Sequence, residues 1–589
     1  MIEPAAGKEC HIFLLFDSHS CFWYYIYSVD VFAKKVYAYK NRGVEAEWNF
    51  SMNGMICQEE SGNIMGMYLN IGNAGFRSVR KGLYVDKSGL ISFINSTLGT
   101  KDKLTCVSRP RRFGKSFATQ MLCAYYDKSC ESRDLFSDLE IAGDPLFEQY
   151  LNQYDVLFLD ITWFISTAQN VKNTVSYLQK QVIDELHGSY PSVPKESSLP
   201  LMLAKIAEAT ERRFIIIIDE WDALFREVKD DTELQKEYIQ LLRGLFKSSL
   251  TDKMIEAAYM TGILPIKKYG TQSALTDFRE YTMIQPKKLA EYVGFTETEV
   301  KKLCQEYGMD FEDIKRWYDG YSFSRAKSVY SPNSVIQAIS NEEFGDYWTE
   351  TETYESLKFY IGLNEDGLKD AIISMLGGER CRINTRTFQN DISSIKSRDD
   401  ILTLLVHLGY FAYDSVEKEI YIPNQEVADE FKNAVENSGW EGISKALQAS
   451  EALLDATLRG DEQRVAKGID EIHHSNTSIL SYNNENSLSC VITIAYYAAQ
   501  KDYTLIREMP AGKGFADIVF LPGRHTDKPA LVIELKWDKT VQGAIAQIEE
   551  KKYAGALEGY RGNLLTVGIN YDKKTKKHEC IIRKFNKES

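Results

Sequence analysis

The chain has 589 residues, 44% of them hydrophobic and 26% charged, with a formal net charge of −14. That length exceeds one ordinary core, so two to four domains are expected, in a composition typical of globular proteins. The acidic total excludes a chain coated in nucleic acid but leaves room for a local basic groove, because the field at the site decides binding.

Residues 11–33 are rich in aromatics, but Asp17, His19 and Asp30 interrupt the run. It makes neither a clean membrane helix of about 20 apolar residues nor a signal peptide. The expectation is an upstream extension or disordered leader over residues 1–64, with translation starting at Met65 or Met67. Strand-like and helix-like runs then alternate over 84–265, as in an α/β domain with a largely parallel sheet. Strands are expected at 104–108, 155–161, 214–218 and 255–261, a helix at 117–126, and a Pro/Ser-rich surface linker at 190–200. Residues 287–440 read as mostly helical: Thr296 is placed to cap a helix with Glu297 and Glu299 in its first turn, and a helix over 401–410 stops at Gly409. From about Ser481 the pattern is α/β again. A helix is expected at 485–499, strands at 504–508, 515–521 and 530–536, a helix at 544–557 and a strand at 563–569. Lys573-Lys574 and Lys576-Lys577 read as a solvated turn. The ten cysteines form no C-x-x-C pair; Cys106, Cys123, Cys304 and Cys490 read as small core residues, which suits a reducing cytoplasm. Adjacent histidines cannot face one metal from a helix or a strand, so His473-His474 reads as surface loop.

Two separated segments resemble halves of an ATP site. Arg109-Pro110-Arg111-Arg112-Phe113-Gly114-Lys115-Ser116 supplies a close-approach glycine, a lysine for the terminal phosphates and a Mg²⁺-ligating hydroxyl, although Arg109 stands where the first glycine of a phosphate-binding loop belongs. Alone it is equally a basic turn capping a helix. The second half is a run of four isoleucines ending in Asp219-Glu220, a buried strand that delivers two carboxylates where open α/β sheets bind ligands. Asp219 is a candidate for Mg²⁺, Glu220 for polarising the attacking water, and Thr261 for sensing the γ-phosphate. An extra strand between loop and carboxylates, here 155–161, suits ATPases that use a glutamate base. Arg243 and Arg279 are guesses for an arginine finger.

A third constellation has the makings of a metal-dependent nuclease. Side chains alternate along a strand, so Glu534 and Lys536 share a face. The Pro522-Gly523 turn lets Asp517 lie beside them, and Asp517 and Glu534 can share a metal. Glu485, at the start of the preceding helix, is a further candidate ligand, and Gln547 in the following helix a candidate to orient lysine or water. The bland alternative is an amphipathic hairpin with a solvent-facing Glu–Lys pair.

At these residues the chain resembles the AAA-ATPase-like proteins fused to a PD-(D/E)XK nuclease-superfamily domain, common in bacteria and archaea. The likeness runs from Leu83-Tyr84-Val85-Asp86-Lys87-Ser88 through the basic loop, Asp219-Glu220 and Thr261-Gly262-Ile263-Leu264. It continues in Trp317-Tyr318-Asp319-Gly320-Tyr321, Tyr347-Trp348-Thr349-Glu350-Thr351 and Ile422-Pro423-Asn424-Gln425-Glu426, and ends in Gly514-Phe515-Ala516-Asp517 and Glu534-Leu535-Lys536. In that family an arginine already replaces the first loop glycine; many relatives also carry an arginine where Phe515 stands here.

The resemblance implies a P-loop NTPase of glutamate-base type with a parallel sheet (68–285), a helical lid and connector (286–475) and a restriction-endonuclease-like α/β domain (476–589). Arg109, Arg112, Gly114, Lys115, Ser116, Asp219 and Thr261 would bind nucleotide, with Ser116 and Asp219 on its Mg²⁺. Glu220, Asp517, Glu534 and Lys536 would be catalytic, and Glu485, Asp517 and Glu534 would hold Mg²⁺ or Mn²⁺. The expected function is ATP-regulated, Mg²⁺-dependent cleavage of nucleic acid, with DNA favoured, in a bacterial cytoplasm and away from membranes; a homo-oligomer is left open. The alternatives are an ATP-gated DNA- or protein-binding assembly factor whose nuclease fold does not cut, and a plain ATPase whose C-terminal domain recruits a protein.

Overall fold

A computed structural model of the chain describes residues 66–585, apart from 267–274, 324, 349–352, 363–366, 389–394, 396, 438–439, 476–484, 512–513, 524–525 and 551–562. The expected leader at 1–64 lies outside the described residues.

The N-terminal sheet has five parallel strands: β1 (Leu104–Ser108), β2 (Asp155–Asp160), β3 (Phe214–Asp219), β4 (Ile255–Gly262) and β5 (Arg279–Tyr281), in the order β2-β3-β4-β1-β5. Ile215, Ile216, Ile217 and Ile218 are all buried, because helices cover both faces of a parallel sheet and leave no side for polar residues. The strand separating the loop-bearing β1 from the acid-bearing β3 is β4. The 155–161 strand expected in that role is β2, at the sheet's edge. Chain order and spatial order part here because each parallel crossover can skip a neighbour.

The middle of the chain is helical with two small sheets, Phe295–Thr296 with Val329–Tyr330, and a three-stranded one of Cys381–Arg382, Ala412–Asp414 and Glu419–Tyr421. Helix ends follow the expected chemistry. The Glu299 carboxylate accepts the Thr296 N–H (2.7 Å), closing the start of helix Glu297–Tyr307. Gly409 ends helix Arg398–Leu408 with φ +94°, the left-handed stop that glycine takes without a Cβ penalty. Two motifs far apart in sequence meet at Gly320. Its φ is +121°, a Cβ there would run into the Pro423 backbone, and the Tyr421 hydroxyl donates to its carbonyl (2.9 Å).

The C-terminal sheet runs in the order β6 (Tyr503–Ala511), β7 (Gly514–Pro522), β8 (Ala530–Trp537), β9 (Leu564–Asp572) and β10 (Lys577–Phe585). Only the β8–β9 pair is parallel, and helix Val541–Glu550 lies on the crossover such a pair needs. The lysine cluster forms the β9–β10 turn, as expected; β10 itself was not. His473 departs from expectation too. It lies buried on helix Glu462–Ser475, edge-on to Tyr571 (5.1 Å) and His578 (5.6 Å), because that helix packs on β10. One apolar core is continuous from Val107 and Phe113 at the loop, through Leu405 and Phe431 of the helical middle, to Phe520 and Ile533 of the last sheet. The middle of the chain is therefore packed into both sheets at once.

Candidate functional site

Gly114 opens the site. It sits at φ +86° before helix Lys115–Tyr126, and a Cβ built on it meets nothing within 4 Å, so the chain leaves a cradle in front of a helix N-terminus. The cradle opens into a cavity of about 1400 Å³ lined by Arg111, Arg112, Lys115, Ser116, Glu220 and Arg226, among others. Lys115 Nζ donates to the Pro110 carbonyl (3.0 Å) and pairs with Glu220 (3.2 Å). Asp219 is buried at the end of β3, where the Thr261 hydroxyl donates to it and Ser116 hydrogen-bonds it. Burial pushes the Asp219 carboxyl up, and those two hydroxyls offset part of the rise. Glu220 follows in the left-handed region (φ +49°). Burial pushes its carboxyl up as well, but the facing charges of Lys115 and Arg226 outweigh that and leave it below the usual carboxylate range.

The structure thus brings together Gly114, Lys115, Ser116, Asp219, Glu220 and Thr261. It corrects Arg109. That side chain is fully buried and turns away from the cradle; its guanidinium donates to the carbonyls of Ser108 (3.0 Å), Tyr281 (3.2 Å) and Leu289 (3.3 Å) and lies over Phe323 (5.1 Å). Burial lowers its pKa to about 10. The Arg109 side chain is thus a strut under the loop and does not face the cradle. Arg279 pairs with Asp102 (2.8 Å) at the surface, and Arg243 is exposed. Sequence reasoning missed Asp222 and Arg226. Asp222 is buried and accepts the N–H groups of Ile263 (3.1 Å) and Leu264 (2.8 Å), and Arg226 Nε donates to it (3.0 Å) while the same guanidinium grips Glu220. The Asp219-Glu220-Trp221-Asp222 run and the i, i+4 spacing of Asp222 and Arg226 were the available signals.

Arg112, at φ +67°, lines the cavity and donates to the Tyr347 carbonyl. The N–H groups of Tyr347 and Trp348 both donate to Glu426 (2.9 Å each), which is buried on helix Gln425–Glu436. Two residues further along that helix, the Ala428 carbonyl accepts the Tyr497 hydroxyl (3.0 Å).

At the second site, Ile518 pairs with Ile533 across β7 and β8, so Asp517 and Glu534 are the next residues in register and share a face. The Asp517 carboxylate is half-buried and accepts the Leu535 N–H (2.7 Å). Glu534 is fully buried, where Lys536 Nζ pairs with it (2.9 Å) and the Gln547 amide donates to it. This rules out the solvent-facing Glu–Lys pair. Glu485 begins helix Glu485–Ala495, but its side chain lies outside what is described. Among the described residues no group of three or more His, Cys, Asp or Glu could hold a metal ion. As donors, Asp517 and Glu534 suit a divalent cation, provided Glu534 gives up part of its hold on Lys536. The first site suits a nucleoside triphosphate with Mg²⁺, having a glycine cradle that no side chain fills, a lysine, a hydroxyl and a buried acid.

Fold and sites define a P-loop ATPase-like domain joined to a nuclease-like domain, and comparison with known proteins agrees. Residues 70–271 match the family described as predicted AAA-ATPase, and residues 483–580 match the PD-(D/E)XK nuclease superfamily. The chain therefore carries an AAA-ATPase-like domain followed by a PD-(D/E)XK nuclease-superfamily domain. An "Uncharacterized protein in vnfD 5'region" of Azotobacter chroococcum mcd 1 is 25% identical over 303 residues, 48% of this chain. The chain spans about half (54%) of that relative's length. A solved structure of the Aeropyrum pernix ORC2 protein in ADPNP-ADP complexes matches over 60% of this chain and 95% of its own, at 10% identity and a TM-score of 0.28. No helix among the described residues is long and apolar enough to cross a membrane.

Proposed function

We propose that the chain is an ATP-regulated, Mg²⁺-dependent nuclease acting on nucleic acid, with DNA the favoured substrate. The observation that supports it best is the hydrogen-bonded path from the nucleotide cradle to the nuclease-superfamily span, through Arg112, Tyr347, Glu426 and the Ala428–Tyr497 contact. Gly114, Lys115, Ser116 and Asp219 would hold the nucleotide and its Mg²⁺. Glu220 would accept a proton from the attacking water, and Thr261 would hold Asp219 in place. In the second site Asp517, Glu534 and Glu485 would hold Mg²⁺ or Mn²⁺, which supplies a Lewis acid and an acidified water. Lys536 and Gln547 would then keep the Glu534 carboxylate oriented. ATP regulates cleavage if its binding shifts Arg112 between two positions, since a ligand moves an equilibrium only by its differential affinity for the two states.

The test is cleavage of single- and double-stranded DNA in Mg²⁺ or Mn²⁺, with and without ATP, by wild type, Glu534→Ala and Lys115→Ala. Cleavage that Glu534→Ala abolishes supports the nuclease, and an ATP effect that Lys115→Ala abolishes supports the regulation. Equal cleavage with and without ATP in both wild type and Lys115→Ala refutes the regulation. A second reading is an ATP-gated grip whose nuclease fold does not cut, and one observation favours it: Glu534 is fully buried and already held by Lys536 and Gln547. That reading expects DNA retention to survive loss of Asp517 and Glu534, with no cleavage at any metal concentration.

A further inference from the structure

We propose that Arg226 is a positioning residue for ATP hydrolysis: it keeps the Glu220 carboxylate aimed into the cavity after the nucleotide has drawn Lys115 away. The inference rests on the reading of Glu220 as the group that takes the water's proton.

Glu220 is held from two sides, by Lys115 Nζ (3.2 Å) and by the Arg226 guanidinium. The two holds differ in kind. Lys115 is a flexible ammonium on the first residue of the P-loop helix, and a polyphosphate in the Gly114 cradle is the stronger acceptor for it. Once it turns to phosphate, Glu220 keeps the grip of the Arg226 guanidinium, with the charge of Arg111 acting on it as well. Arg226 cannot follow the same pull, because its Nε is anchored on Asp222 (3.0 Å), whose side chain is 1% exposed. Asp222 is fixed in turn by the N–H groups of Ile263 and Leu264, just past the end of β4. A planar guanidinium with one edge pinned presents its other donors in a set direction, which a lysine cannot do. The backbone adds a reason for the grip: Glu220 sits at φ +49°, a conformation that a non-glycine residue holds only when its surroundings impose it. Glu220 and Arg226 both line the cavity, so the orientation that Arg226 fixes is toward the place a nucleotide would fill. In the step served, a water oxygen bonds to the γ-phosphorus and the bond to the bridging oxygen breaks. ADP leaves with that electron pair, and the water's proton passes to Glu220.

The experiment is phosphate release from ATP by the full chain, comparing wild type, Arg226→Met, Arg226→Lys, Glu220→Gln and the Arg226→Met/Glu220→Gln double variant. Binding of a fluorescent ATP analogue and circular dichroism melts accompany it. We expect Arg226→Met to lower kcat on the order of 100-fold, the range of a misplaced general base, with KM and analogue affinity within about 3-fold. Arg226→Lys should recover part of kcat without restoring it. The double variant should turn over no slower than Glu220→Gln alone, because both changes act through one carboxylate. The inference is overturned if Arg226→Met matches or exceeds wild type, if the two losses multiply, or if affinity falls while kcat holds. Should Arg226→Met fail to fold, Arg226→Lys with unchanged kcat overturns it equally. A wild-type protein that binds the analogue without releasing phosphate instead removes the hydrolysis reading and the role of Arg226 together, and is recognised with no substitution made.

Discussion

Gly409→Ala tests how tightly the helical middle is seated on the nucleotide loop. Gly409 carries φ +94°, and a Cβ there would stand 2.7 Å from Pro110 Cγ, 2.8 Å from Pro110 Cβ and 3.2 Å from Trp348 Cζ2. Placing alanine in the left-handed region costs about 1–2 kcal/mol by itself. The overlap adds about 1–3 kcal/mol, because a proline ring has no rotamer to retreat into and Trp348 is buried behind it. The sum is a loss of about 2–5 kcal/mol. Gly460 is the control: φ is +79° and a Cβ meets nothing within 4 Å, so Gly460→Ala should show the conformational cost alone. Urea unfolding followed by tryptophan fluorescence reads both variants, and their difference isolates the contact with Pro110. Since the Pro110 carbonyl accepts from Lys115 (3.0 Å), Gly409→Ala should also weaken ATP binding, whereas Gly460→Ala should not. Equal unfolding midpoints for the two variants, with equal ATP affinity, would refute the seating argument.

Three further experiments probe the rest of the molecule. Lys536→Met leaves Glu534 buried without its cation and should open β7, β8 and β9 to hydrogen exchange by about 3–5 kcal/mol; adding Glu534→Gln should recover most of that. If single and double variants exchange alike, the pair is not what holds those strands. Burial pushes the Glu426 carboxyl up to about 8, against an ordinary value of 4.5. The folded state therefore binds this proton more tightly than the unfolded chain. The stabilisation it contributes is complete below about pH 4.5 and is lost as pH rises through about 8. Glu426→Gln keeps an oxygen for the Tyr347 and Trp348 N–H groups, so its stability relative to wild type should climb between pH 5 and pH 9; parallel curves would count against this. Tyr497→Phe removes a buried hydrogen bond worth about 1 kcal/mol. It should leave ATP affinity intact while shrinking any ATP effect on DNA cleavage or retention, and an undiminished effect would mean the coupling runs elsewhere.

The elements that sequence made legible are those whose signal is local. Four isoleucines before two acids could only be a strand buried on both faces, and Gly409 could be read as a helix stop. The i, i+2 spacing of Glu534 and Lys536 put them on one face, and their mutual pairing followed. Alternation over Lys577-His578-Glu579-Cys580 was equally readable, with His578 and Cys580 buried, though an expected last strand at 563–569 left it out. What stayed hidden depends on partners distant in the chain. Nothing in Arg109-Pro110-Arg111-Arg112 says which arginine turns inward; carbonyls 172 and 180 residues away decide it for Arg109, and one 235 residues away engages Arg112. The i, i+4 spacing of Asp222 and Arg226 hints at a pair, but its anchor on the Ile263 and Leu264 N–H groups shows only where β3 and β4 end side by side.

Arg109 brings the two kinds of reasoning into direct conflict, and one experiment separates them. By pattern, Arg109→Gly restores the missing first glycine of a phosphate-binding loop and should tighten nucleotide binding. By structure, it removes a fully buried guanidinium that ties the end of β1 to the end of β5 and to Leu289. Three carbonyls lose a donor, each at about 1–3 kcal/mol if left unpaired, and the face of Phe323 is left against a void. Arg109→Lys should rescue it only in part, since one ammonium cannot span acceptors that the two ends of a guanidinium reach. The expected result is a lowered urea midpoint and weaker ATP binding for Arg109→Gly, with only partial recovery in Arg109→Lys. Tighter ATP binding by Arg109→Gly at unchanged stability would return Arg109 to the nucleotide site. Short of that, the arginine at this position belongs to the floor beneath the loop, and Gly114 alone supplies the close approach to phosphate.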